Sequence, residues 1–295
     1  MKLSPDTFMH PKDKAALKQL EAIPGFPALV KKIMSMGFET YQYGLNMASS
    51  IRLSENQLPE IYKHLPPICE KLCIPVPELY LSMSPVPNAW TSGDERIYIT
   101  LTSALLECVT DEELDAIIAH ECGHILCHHV LYHMVANYLK LGADIIGVLG
   151  NLSIPVQWGL FYWSRMSELS SDRVAALVTN PELVSAVMAR LAGGPKNITQ
   201  NINFDEWAKQ AYEYESISND GTWNKFLKIY SVLDSTHPFA AVRVKEIREW
   251  CAGEEYKRVK GILDNIPTCM AKCDSCGNDV EDSWMFCRYC GHKLK

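Results

Sequence analysis

A chain of 295 residues with a net charge of −7 at pH 7 is 47% hydrophobic and 21% charged. Those proportions describe a globular protein with apolar material for one large or two modest domains, and they exclude a disordered chain. The acidic balance gives no reason to expect a nucleic-acid partner, and eleven cysteines behind an N-terminus without an apolar signal segment point to a reducing, cytoplasmic setting and metal use in place of disulfides.

Residues 12–35 read as helix interrupted by Pro24, Gly25 and Pro27, and a second helical stretch covers residues 37–50. Ser54 or Glu55 opens a third, which ends near Pro66-Pro67 or resumes as far as Cys73. Cys69 and Cys73 stand four apart; two small buried hydrophobes is the favoured account, a metal-binding pair the alternative. Pro75 and Pro77 mark the change to strands. Residues 78–83 are one candidate strand, and residues 96–101 the stronger, being rich in β-branched and aromatic side chains.

Residues 110–133 organise the chain. Thr110 is an N-cap with Glu113 three residues on, a capping box, and Asp111, Glu112 and Glu113 set negative charge on the positive end of the helix dipole. Leu114, Ile117, Ile118, Ile125, Leu126 and Met134 then recur at helical spacing. Inside lies His120-Glu121-Cys122-Gly123-His124, the H-E-x-x-H pattern. Residues four apart share a helix face, so His120 and His124 can hold one zinc ion, while Glu121, about 100° round the helix, lies beside the metal and can act as general base. Cys127 and Val130 occupy the places where one peptidase pattern has Gly and a third His, so the third ligand must come from elsewhere. His128 lies on the same face but a further turn along, and Cys122 points away from it.

Residues 145–163 carry no charge, a length at the lower limit of a membrane span. Gly147, Gly150, Pro155 and Gly159 interrupt them, and a single crossing would separate His124 from whatever follows on the far side of the bilayer. The stretch from 141 to 163 therefore reads as a hairpin, buried or over the active-site cleft, with its apolar tip a candidate peripheral membrane contact. A helix over residues 161–178 follows. It carries Glu168, the best candidate for the third zinc ligand, and Asp172 four residues on, placed to fix the tautomer of a ligand His. On their own, these two carboxylates would read better as ordinary charges on a solvated helix face.

Asn180-Pro181 restarts a helix that stops at Gly193-Gly194. Residues 195–225 are polar, with helix expected over 204–214. His237-Pro238 opens the last long helix, and residues 252–268 read as a charged connector. In the tail, Cys273-x-x-Cys276 and Cys287-x-x-Cys290 form two knuckles, each followed by a glycine (Gly277, Gly291), the signature of a zinc ribbon. Four thiolates leave no open position, so that zinc is structural and supplies most of the folding energy of so small a unit.

HECGH followed by Glu-Leu-Ser-Ser-Asp-Arg, Pro87-Asn88-Ala89-Trp90, and Thr236-His237-Pro238 with Arg243 beyond occur in an order that resembles the HtpX and CAAX-prenyl-protease family of zinc metallopeptidases. The resemblance covers about residues 8–250, with Ser171 a departure where members often have Ala. It implies an α+β, mainly α-helical fold: a zincin-like core, with a small sheet beside the active-site helix, and then the C-terminal ribbon. The domains expected are 1–74, an N-terminal helical region packed on the core; 75–252, the peptidase core; 253–268, the connector; and 269–295, the ribbon. It further implies that the strand at 96–101 is a sheet edge to which a polypeptide substrate adds by main-chain pairing. Asn88, Ala89 and Trp90 then line the substrate site, His237 contacts the oxyanion, and Arg243 braces the acidic residues behind the zinc. A plain helix-entry role suits His237 as well. The function expected is a zinc metalloendopeptidase with one catalytic and one structural zinc. The alternatives are an adaptor whose ribbon binds a protein partner, and a latent protease with a covered cleft.

Overall fold

The computed structural model describes residues 3–34, 37–140, 154–219, 239–266, 271–280 and 284–294. Three helices begin the chain: α1 (Pro11–Glu21), α2 (Phe26–Met34) and α3 (Phe38–Ser49). Strand β1 (Ile51–Leu53), the short α4 (Pro59–Tyr62) and α5 (Leu65–Leu72) lead to β2 (Glu78–Ser82), β3 (Ala89–Ser92) and β4 (Tyr98–Thr102). Pro at the first turn suits α1, α4 and α5, where its missing N–H has no helical partner to lose.

The sheet order is β1-β2-β4-β3. β2 and β4 run parallel, with Glu78 opposite Tyr98, and β3 pairs antiparallel with β4, Ala89 opposite Leu101. This corrects one expectation. The strand at 98–102 is buried at every position and paired on both sides, so the edge beside the active-site helix is β3. Aromatic and β-branched residues mark β4 because it is central, and β3 is half-buried because one side of it is open.

Beyond the sheet come α6 (Ser103–Cys108), α7 (Asp111–Leu126), α8 (Val130–Lys140), α9 (Ile154–Val178), α10 (Pro181–Gly193), α11 (Lys196–Thr199) and α12 (Phe204–Asn219). The chain continues with α13 (Ala240–Ala252) and α14 (Glu254–Asp264), and β5 (Ala271–Lys272) pairs with β6 (Asp279–Val280) in the tail. α9 is already helical from Ile154, so residues 154–163 are its first turns; residues 141–153, the rest of the expected hairpin, lie outside the described set. Polar Gln157 and Ser164 do not break a helix whose other faces bury Leu160 and Trp163. Among the described residues no helix is long and apolar enough to cross a membrane.

One apolar core joins Phe8, Leu53, Leu65 and Leu72 from the N-terminal region to Ile118, Cys122, Val174 and Leu177 of α7 and α9. Val259 and Leu263 of α14 belong to it as well, so the charged segment after α13 is amphipathic, with one face in the core. A second cluster packs α1 and α2 on α8 and α9. Among the described residues nine cysteines are free, including Cys69, Cys122 and Cys127, which are buried like small hydrophobes. Cys73, left-handed at the C-terminus of α5, is disulfide-bonded, which corrects the expectation of an all-reduced set.

Candidate metal centres

Helix α7 starts as its sequence dictates. Thr110 Oγ1 accepts from the Glu113 N–H at 3.3 Å, and Glu113 Oε2 accepts from the Thr110 N–H at 3.0 Å. A cap of this kind contributes about 1 kcal/mol. Glu113 does more than cap: buried, it accepts at Oε1 from Nη2 of Arg190 at 2.7 Å, tying the start of α7 to α10. Nearly three turns on, Gly123 lets α7 cross α9 closely; a Cβ there would stand 3.0 Å from Ser171 Cα. That crossing brings the ligands together.

His120 Nε2 lies 3.2 Å from His124 Nε2 and 3.4 Å from Glu168 Oε2, and His124 Nε2 lies 3.3 Å from Glu168 Oε1. Zinc–ligand bonds of about 2.0–2.1 Å in a tetrahedron require donors about 3.3–3.4 Å apart. Three donor atoms already stand at that spacing, and one corner is left over. The environment suits a cation. Although burial opposes charge on His120, its hydrogen bonds to Asp172 and Glu168 push its pKa up to about 9 without metal. His120 Nδ1 lies 3.0 Å from Asp172 Oδ1, which directs Nε2 to the centre.

Arg243, on α13, donates from Nε to Asp172 Oδ2 at 2.7 Å and from Nη2 to Oδ1 at 2.5 Å, and its Nη1 lies 3.2 Å from Glu168 Oε2. Burial would raise the Asp172 carboxyl, but Arg243 and His120 hold it below the ordinary carboxylate range. Glu168 and Asp172 are therefore not solvated helix charges; both are almost fully buried.

Glu121 is 5% exposed, and its Oε2 accepts from Thr91 Oγ1 at 2.6 Å. Thr91 sits on the edge strand β3, and no sequence motif marked it. Beside Glu121, Leu105, Ile117, Val184, Val187 and Met188 line an apolar pocket. On the other side an open cleft of about 430 Å³ runs along β3, past His124 and Glu168, to His133, Asn137 and Ser164. Asn88 and Ala89 line both, Trp90 only the cleft. His237 lies outside the described residues.

His129 and His133 stand close to the centre as well, and with His124 they bring three ring nitrogens within 4.8 Å of one another, a second group able to hold a metal ion. His128 is exposed and left-handed (φ 58) in the turn that ends α7. His133 has Ser167 Oγ 2.7 Å from Nε2 and Ser164 Oγ 3.3 Å from Nδ1.

In the tail, Cys273 Sγ is 3.6 Å from Cys290 Sγ and Cys276 Sγ is 3.6 Å from Cys287 Sγ. All four sulfurs lie within 4.8 Å of one another. Zn–S bonds of about 2.3 Å ask for sulfurs about 3.7 Å apart. Gly277 (φ 72) and Gly291 (φ 75) make the two knuckle turns, each returning its N–H to the carbonyl of the first cysteine at 2.8 Å. The backbone amide of Asn278 lowers the Cys276 thiol to about 6, towards the thiolate that a metal binds.

A two-histidine helix closed by a buried glutamate from a second helix is a zinc metallopeptidase centre, and the tail is a structural zinc ribbon. The pattern of "Peptidase family M48" matches residues 55–251, and that of a "zinc-ribbon domain" matches residues 272–294. The chain is 35% identical over 261 residues to the plastoglobule-localized metallopeptidase 48, chloroplastic, of Arabidopsis thaliana, covering 86% of this chain and 75% of that one. Protease HtpX homologs are similar too: 29% identical over 143 residues in Pelotomaculum thermopropionicum (46% of this chain, 49% of that one) and 22% over 255 residues in Campylobacter concisus (75% and 86%). No solved structure matches significantly. The chain belongs to peptidase family M48, and it is a zinc metallopeptidase acting on polypeptides.

Proposed function

We propose that the chain is an endopeptidase in which Glu121 is the general base. The observation that carries this reading is the Glu121 carboxylate, held by Thr91 at 2.6 Å beside the three donors and facing the cleft. Zinc, when held by His120, His124 and Glu168, supplies the Lewis acidity that activates water and polarises a carbonyl. Glu121 Oε2 takes the proton of the attacking water and passes it to the leaving amine. Asp172 keeps the His120 proton on Nδ1, and Arg243 balances two carboxylates that would otherwise repel each other at close range. His237 is assigned the oxyanion contact on the family resemblance alone.

An extended substrate adds to the open side of β3, with Asn88, Ala89 and Trp90 along its path. The apolar pocket takes a large hydrophobic side chain next to the scissile bond, and the roomier cleft takes the other flank. The ribbon exposes Met285, Phe286 and Tyr289, a surface suited to a protein partner. Trp158 and Tyr162 are half-exposed on the first turns of α9, which supports a peripheral membrane contact around residues 145–163. We assign the chain to the cytoplasm, at the inner face of the membrane when so attached; the nine cysteines that are free among the described residues agree with this and the disulfide at Cys73 does not. Residues 1–74 are assigned to an N-terminal helical region packed on a peptidase core of residues 75–252, with 253–268 the connector to a ribbon at 269–295.

The test is hydrolysis of an unfolded polypeptide by wild type and Glu121→Gln. The variant should retain its zinc and lose at least a hundredfold in rate. A variant as active as wild type would remove Glu121 from the mechanism.

A further inference from the structure

The turn that ends α7 does more than reverse the chain. The His129 N–H donates to the His124 carbonyl at 2.9 Å, and the His128 N–H donates to the Ile125 carbonyl at 3.1 Å, a paired closure with His128 left-handed between them. It folds the His129 ring back against His124, with the two Nδ1 atoms 3.2 Å apart. On its other side His129 Nε2 lies 3.1 Å from Asp13 Oδ2. Both side chains are fully buried, and Asp13 comes from the first turn of α1. Ser170 of α9 donates to the same Asp13 oxygen at 2.5 Å, and the His10 N–H donates to Ser170 Oγ at 3.0 Å.

Proton positions follow from these distances. His124 Nε2 faces His120 and Glu168, so as a ligand it carries no proton and its Nδ1 does. That N–H has His129 Nδ1 in reach as an acceptor, which leaves the His129 proton to Nε2, at ion-pair distance from the Asp13 carboxylate though outside hydrogen-bond alignment with it. A buried carboxylate without such partners is strongly destabilising. Here it anchors a line of groups that ends on a zinc ligand.

We propose that Asp13 and His129 are positioning residues for the zinc centre: they orient His124 and fix its tautomer, as Asp172 does for His120. Each ligand histidine then has its own carboxylate, reached directly in one case and through a second imidazole in the other. Asp13 lies outside residues 55–251, which the family pattern matches, so the N-terminal helix is a working part of the metal centre. The inference rests on the metallopeptidase reading above.

The experiment measures zinc affinity of the full chain by chelator competition, with the ribbon zinc counted separately as an internal reference. The variants are Asp13→Asn, His129→Gln, their double, and Leu20→Ala. Leu20 is a buried apolar contact of α1 that loosens the helix without touching the polar line. Asp13→Asn and His129→Gln should each weaken the second zinc tenfold to a hundredfold. The double should be no worse than the weaker single by more than about twofold, because the two act in series. Ribbon zinc should not change, and Leu20→Ala should leave both affinities near wild type. If Asp13→Asn does not fold, His129→Gln decides by the same criterion. Single variants within twofold of wild type, or a Leu20→Ala loss as large as theirs, would overturn the proposal. A wild type that holds no second zinc would overturn the metallopeptidase reading with it; a wild type that holds it, with the variants unchanged, overturns only the positioning role.

Discussion

Replacing Gly123 by Ala sets two effects of known size against each other. Helix propensity alone favours Ala over Gly by about 0.8–1.0 kcal/mol. In this fold the added Cβ would meet Ser171 Cα at 3.0 Å, Val174 Cβ at 3.1 Å and Ser171 Cβ at 3.2 Å. Carbon contacts are most favourable at about 3.5–4.0 Å, so all three are too short, by roughly half an ångström in the worst case. The opposing atoms are backbone and Cβ, not the free ends of flexible side chains, so α7 and α9 must move apart. Overpacking of this kind costs about 1–3 kcal/mol. The net expectation is a loss of about 1 kcal/mol, read as a melting temperature about 2–4 °C lower. The same movement widens the 3.3 and 3.4 Å gaps between the histidines and Glu168, so zinc affinity should fall together with stability. Thermal unfolding and chelator competition on one preparation of Gly123→Ala test both. A higher melting temperature with unchanged zinc affinity would refute the claim that the close crossing of α7 and α9 sets the ligand spacing.

Other consequences are as direct. Arg243→Met leaves Asp172 and Glu168 buried without their cation and should cost about 3–5 kcal/mol in urea unfolding of the zinc-free protein; a loss below 1 kcal/mol would contradict the burial assigned to that cluster. Val187→Trp should fill the apolar pocket and shift cleavage of a peptide library from large to small hydrophobic residues beside the scissile bond, with zinc content unchanged; an unaltered preference would place substrate elsewhere. Glu246 on α13 is held down to about 2, from an ordinary 4.5, by His10 and by Lys12 against the effect of burial. Its folded pKa is depressed, so its stabilisation is complete above pH 4.5 and is lost as pH falls through about 2. The stability gap between wild type and Glu246→Gln should therefore close over that range, and a gap that is constant with pH would show that the pairing contributes nothing.

What the sequence made legible was local. The capping box of Thr110 and Glu113, the one-turn spacing of His120 and His124, and the cysteine knuckles with their glycines each occupy fewer than twenty residues. Their geometry follows from helix and turn periodicity alone. Glu168 was legible because a zinc site needs a third ligand and few carboxylates stand on a suitable helix. The family resemblance supplied the order of the segments, yet it put the sheet edge at 96–101, where β4 is central. Strand order is set by pairing across the sheet, and a hydrophobic run reads alike in a central strand and a covered edge. Thr91, Arg190, His129 and Asp13 went unmarked because each acts through a partner 5 to 116 residues away along the chain, and ordinary threonine, arginine and aspartate carry no spacing signature. The amphipathic α14 was hidden in the same way: its charges are conspicuous, and the two residues it buries, Val259 and Leu263, are not.

Zinc content per chain, by elemental analysis of wild type and Glu168→Ala, tests the centre most directly, because Glu168 is the ligand supplied by the fold and not by the H-E-x-x-H helix. Two zinc ions per chain falling to one, with peptide hydrolysis lost, is the predicted result. Two zinc ions in both proteins, or hydrolysis undiminished in Glu168→Ala, would contradict a metal centre built from His120, His124 and Glu168.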